Sequence, residues 1–100
     1  MDRLKSKIKD IKPKKIVVTG GNKMFIRKFS SDLSELLGAE FDLEYKYLDH
    51  DMLKSKDVLK VNQELDGIDR FVLSATDLTK DADLLNADFI VFIKNRSHNI

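Results

Sequence analysis

Polar residues able to handle a phosphate or a proton fall in three short stretches of this chain, each placed after an apolar run. Thr19-Gly20-Gly21-Asn22-Lys23 follows Ile16-Val17-Val18; Leu48-Asp49-His50-Asp51 follows alternating aromatic and charged residues; Asn95-Arg96-Ser97-His98-Asn99 follows Phe89-Ile90-Val91-Phe92-Ile93. In the first stretch, glycines admit backbone conformations closed to other residues, so amides can turn toward an anion where a helix begins, and Lys23 adds a positive charge. It lacks both the three-glycine dinucleotide fingerprint and the Gly-Lys-Ser/Thr of a phosphate loop, so it equally fits a plain strand-to-helix turn. In the second, His50 between two carboxylates could act as a general base, a proton shuttle or half of a metal site. Consecutive strand side chains point to opposite faces, however, and Asp51 also suits a helix cap. In the third, Arg96 could hold a carboxylate or phosphate, and His98 is a second candidate base. Ser97 and His98 are adjacent and badly placed to serve each other as nucleophile and base. With no cysteine and no i, i+4 histidine pair, a metal site is not expected, and the residues specify no cofactor.

The elements that must position these groups alternate. Leu4, Ile8 and Ile11 recur at i, i+4, i+7 among lysines, predicting a basic amphipathic helix over residues 1–13 that Pro13 ends. Residues 16–19 are β-branched without polar alternation, as in a strand covered on both faces. Asn22 is placed to cap a helix with a stripe of Phe25, Phe29, Leu33 and Leu36, stopped at Gly38. Residues 41–48 alternate as a strand with one wet face near a sheet edge. A helix within about 52–65 ends at Gly67; residues 71–75 form a strand, 80–86 a short helix, and 89–93 the most buried strand of all. Parallel strands need crossovers of one hand, so the expected fold is α/β: a three-layer α/β/α sandwich with a mostly parallel four-stranded sheet, Rossmann-like, preceded by the N-terminal helix. The expected organisation is one domain, residues 1–100, with the core in 14–100. Ligands of such sheets bind beyond the carboxyl ends of the strands, where all three polar stretches fall.

The Gly20-Gly21-Asn22 after the first strand, His50 after the second, Ala87-Asp88 before an apolar strand and the closing Ser97-His98-Asn99 resemble the motifs of a small bacterial Rossmann-like family of uncharacterised proteins, domain-of-unknown-function family 2325. The resemblance covers roughly residues 14–99. It implies that Gly20, Gly21, Asn22, His50, Ser97 and His98 surround one cleft, and it attaches no reaction to them. Two departures stand out: residues 67–79 add a strand, and the helix and strand expected after Ser-His are missing. Either that part has been lost, or the chain is a fragment, or the basic N-terminal helix covers the sheet face, in its own chain or in a partner's, as in a swapped dimer.

Composition narrows the function classes. Hydrophobic residues make up 42% and charged residues 35%, and no apolar run reaches membrane-spanning length. No signal peptide follows the basic start, and with no cysteine the expectation is a cytoplasmic protein without a membrane partner. The net charge of +1 conceals a first fifteen residues at +5 and a remainder at −4. A basic arm of this kind can contact nucleic acid, and equally can be the solvated face of a helix. The favoured expectation is a binding module for a nucleotide or other phosphate-bearing small molecule, held by Gly20, Gly21, Asn22, Lys23, His50, Arg96, Ser97 and His98. The alternatives are a homo-oligomeric regulatory or assembly protein without a small ligand, a homodimer being its simplest form, and a small hydrolase or transferase using His50 or His98.

Overall fold

Val17 and Val18 lie on opposite faces of the first strand, and neither reaches water. A strand can bury both faces only when helices cover them, so this short run already implies three layers. The computed structural model describes residues 2–50, 58–76 and 87–93 and has that architecture. Its elements are α1 (Asp2–Ile11), β1 (Lys15–Gly20), α2 (Lys23–Phe41), β2 (Lys46–Asp49), α3 (Val58–Leu65), β3 (Phe71–Thr76) and β4 (Phe89–Ile93). The four strands form one parallel sheet in the order β2-β3-β1-β4.

One core lies between α3 and the sheet, where Val61 and Leu65 meet Val17, Phe71, Leu73 and Ala75. The other lies beneath α1 and α2, where Ile8, Ile26, Leu33 and Leu37 meet Ile16, Val18 and Val72. Each such fully buried aliphatic side chain contributes about 1.5–3 kcal/mol of transfer free energy. The chain passes from β1 to β2 over the α2 face and returns to β3 over the α3 face. Reversing direction while exchanging faces is what a constant crossover hand requires.

α1 is an integral layer. Ile8 is fully buried and Leu4 and Ile8 pack with the α2-side core, while Ile11 is 56% exposed. The helix ends where Lys12 turns left-handed (φ 51°) and donates its N–H to the Ile8 carbonyl, 2.7 Å. Pro13 follows, buried. At the amino ends of the strands, the Asp88 carboxylate accepts hydrogen bonds from the Lys14 and Lys15 amides, each 3.1 Å. It thereby ties the start of β4 to the start of β1. Asp88, prominent in the family resemblance, thus has a structural role at the edge opposite Gly20 and Asp49.

Four sequence expectations are corrected. Gly38 does not stop α2, which runs on to Phe41 and closes where Asp42 turns left-handed (φ 55°), its N–H on the Leu37 carbonyl. A helix ends where a residue takes that conformation, and Asp tolerates it. Phe41 is therefore helical and β2 shortens to Lys46–Asp49, although it is the edge strand as expected. The fully buried face of α2 is Ile26, Ser30, Leu33 and Leu37; of the expected stripe Leu33 is buried and Phe29 and Leu36 pack partly buried against the core, but Phe25 is 54% exposed. Small Ser30 fits under the helix because its hydroxyl donates to the Ile26 carbonyl at 2.7 Å. Finally, β4 is not the most buried strand. It is an edge, and none of its five residues is fully buried. The predicted helix at 80–86 and the part of the predicted 52–65 helix before Val58 lie outside the described residues.

Candidate functional site

Strand order locates the crevice. β1 sends the chain toward the β2 edge and β3 sends it toward β4, so two adjacent strands lead in opposite directions. Their carboxyl ends, Gly20 and Thr76, are register partners. A parallel sheet opens a ligand crevice at such a switch point. The buried polar residues of the strands follow the same geography: Thr19, Asp49 and Ser74 occupy the carboxyl halves of β1, β2 and β3.

The two glycines have different jobs. Gly20 is the last residue of β1, and a β carbon there would stand 2.5 Å from the Ile93 carbonyl oxygen and 3.2 Å from Ile26 Cδ1. Its lack of a side chain lets β1, β4 and α2 converge. A β carbon on exposed Gly21 would meet nothing within 4 Å. Neither residue has a positive φ. The expected use of glycine's conformational freedom is therefore corrected: close packing explains Gly20, and open space surrounds Gly21. Asn22 caps α2 as expected, its Oδ1 accepting the Phe25 N–H at 3.0 Å. Lys23 is the first helical residue, and the first-turn amides give this end of the helix a partial positive charge.

An ion pair at this edge involves a residue that the sequence did not single out. Arg27, in the second turn, is ion-paired through Nε with the Asp49 carboxylate at the end of β2. Asp49 is only 8% exposed and Arg27 39% exposed. An arginine held through Nε is oriented, and its guanidinium carries further donors in a fixed fork. Beside this pair, the Ser74 hydroxyl lies 3.2 Å from the Tyr47 hydroxyl and donates to the Leu48 carbonyl at 3.5 Å. Arg27 and Asp49 belong to different elements, 22 positions apart, and no helical or strand period links them. The only sequence signal was an arginine beside the buried stripe of a helix that starts at a glycine turn.

His50 follows Asp49 and is half-buried. It shares the carboxyl edge with Gly20–Lys23, but β3 stands between β2 and β1. Two strand spacings put the stretches about 10 Å apart in the sheet direction, a span that suits a ligand lying across β3 better than direct contact. Asp49 is engaged by Arg27, which alters the expected His50 cluster with two carboxylates. Asp51, Arg96, Ser97 and His98 lie outside the described residues.

A groove of about 630 Å³ sits at the opposite edge, between Ser34 and Gly38 of α2 and the segments entering β2 and β3. It is an open furrow above small residues, and its Asp69 is ion-paired with Lys14 and Arg70, both at 3.6 Å. Both pairs end on the exposed Asp69 carboxylate, and surface ion pairs of this kind carry little energy, so the switch point is the candidate site. Among the described residues no helix is long and apolar enough to cross a membrane.

Fold and site together define a parallel α/β sandwich of the Rossmann-like kind, with its buried polar groups gathered at the carboxyl edge of the sheet. No protein-family model, curated protein or solved structure matches the chain.

Proposed function

We propose that the chain is a binding module for a phosphate-bearing small molecule of the nucleotide class, seated at the carboxyl edge of the sheet over Gly21. The observation that carries the reading is the Arg27–Asp49 pair. It holds a guanidinium one turn beyond the positive end of α2, at the carboxyl end of β2. A helix N-terminus favours anions, and a pre-oriented guanidinium suits a phosphate oxygen pair. Gly20, Gly21, Asn22 and Lys23 form the turn beneath the phosphate, and His50 stands across β3, where the rest of such a ligand would extend. The family resemblance belongs to the same proposal and would add Ser97 and His98, while Arg96 is included for its chemistry.

The test is thermal unfolding against inorganic phosphate, sulfate and a panel of mono-, di- and triphosphate nucleosides. A ligand at 100 times its dissociation constant adds about 2.7 kcal/mol of stability. One or more phosphate compounds should raise the midpoint of the wild type. The rise should shrink in Lys23→Met and in Arg27→Lys, the second of which keeps a cation for Asp49 while losing the fork. A wild-type midpoint that no compound moves would overturn the proposal.

A further inference from the structure

β4 has the sequence of a central strand and the position of an edge. Phe-Ile-Val-Phe-Ile carries no charge, proline or glycine, a pattern typical of strands covered on both sides. In the middle of the sheet, residues 16–20 of β1 and 71–75 of β3 are likewise uncharged, and they are buried. Among the described residues β4 pairs only with β1, and Phe92 is 54% exposed. The opposite edge is managed differently. β2 is four residues long, with Lys46 exposed and Asp49 ion-paired, and short charged edges discourage further pairing.

We infer that β4 is a self-association edge, which a second copy of this chain completes by antiparallel β4–β4 pairing about a two-fold axis at Val91. The backbone alternation fixes the register. The Asp88 N–H donates to the Lys15 carbonyl at 2.9 Å, so along a parallel ladder Ile90 and Phe92 use their amide groups against β1, whereas those of Phe89 and Val91 face away from the sheet. Val91 opposite its own copy is then a hydrogen-bonded pair, each residue donating to and accepting from the other. On the α3 face the same register sets Phe92 against Ile90 of the second copy, and that contact covers the exposed ring. The strand is its own complement, and a two-fold pairing of this kind uses up both β4 edges, leaving only the short β2 edges outermost. Among the described residues, the other uncharged buried runs, in β1 and β3, lie within the sheet.

Sedimentation equilibrium over a thousandfold concentration range tests this, alongside amide exchange of the wild type at both ends of the range. The expected result is a mass rising from one protomer to two and going no further, with the Phe89 and Val91 amides gaining protection only in the dimer. Phe92→Lys and Val91→Pro should each weaken dimerisation by about tenfold or more. Proline is tolerated in an edge strand where the N–H faces outward, so Val91→Pro removes the central donor while keeping the fold, which circular dichroism verifies. If either variant unfolds, the exchange pattern of the wild type decides the matter. A wild type that stays monomeric throughout, or a dimer whose Phe89 and Val91 amides exchange as in the monomer, would overturn the inference.

Discussion

Gly20 and Ile93 meet so closely at the carboxyl ends of β1 and β4 that a β carbon on Gly20 would stand 2.5 Å from the Ile93 carbonyl oxygen. The obstacle is backbone and cannot swing aside. Gly20→Ala should therefore cost about 1–3 kcal/mol, the range for overpacking a well-filled site. Gly21→Ala should stay within about 0.5 kcal/mol, as for most surface changes. Urea denaturation of the two variants checks this contrast, and equal losses would contradict it. Gly21→Val, which fills the open space, should abolish any phosphate-dependent rise in midpoint while leaving the ligand-free midpoint nearly unchanged.

Removing the cation from Asp49 should be felt in stability. Arg27→Ala leaves a carboxylate that is 8% exposed without its partner, a loss of about 1–3 kcal/mol for a buried charged group. Arg27 is 39% exposed, and water screens part of the attraction, so the value belongs toward the lower end. In a double-mutant cycle with Asp49→Asn the two losses should fail to add, with a coupling of about 0.5 kcal/mol or more. Strict additivity would show that the pair contributes nothing.

The Tyr45 hydroxyl donates to the Pro13 carbonyl, pinning the segment before β2 to the turn after α1. Burial chiefly, with Asp88 adding and Arg70 opposing, raises its pKa above the usual 10.0. The folded state thus favours the neutral phenol. This contribution is fully present below pH 10.0 and is lost as pH climbs from there through the folded-state value. Denaturation midpoints of the wild type and Tyr45→Phe at about pH 8 and about pH 11 isolate it from the titrating lysines. The advantage of the wild type should narrow at the higher pH, and a constant gap would refute the assignment.

Asn22 both caps α2 and stands at the proposed phosphate. Asn22→Ala should cost about 1 kcal/mol through loss of the acceptor for the Phe25 amide. Asn22→Asp should keep the cap, since a carboxylate suits a helix N-terminus. If a phosphate binds there, that variant should be stable yet bind more weakly than the wild type, because two anions would share one helix end. Calorimetric titration with the best compound of the panel separates the two effects.

Much of this architecture was legible because it rests on local periodicity. Ile8 on its basic helix, the Ile16-Val17-Val18 run and the Asn22 cap each announce their element through a pattern of a few residues. The failures share a cause. Gly38 and Phe41 were misread because the end of α2 depends on Asp42 adopting a left-handed conformation, which composition does not dictate. The stripe on α2 was rotated toward Phe25 because several faces of that helix are apolar, and only packing on the sheet decides between them. β4 was read as central because hydrophobicity reports that a strand wants covering and says nothing of which chain covers it. Arg27 and Asp49 find each other across a helix and an edge strand, and neither period registers that meeting.

The register of β1 bears on how the chain is made. Ile16 pairs with Val72 on one side and Phe89 on the other, partners that follow it by 56 and 73 residues. At about 5–20 residues per second on the ribosome, β1 waits roughly 4–15 seconds for both neighbours. Until α3 and β3 emerge, Ile16, Val17 and Val18 have only α1 and α2 for shelter, on one face, and the β4 side stays open longest. Synthesis therefore exposes a sticky half-built centre until its final strand emerges, and holdase chaperones should engage nascent chains that stop short of residue 89.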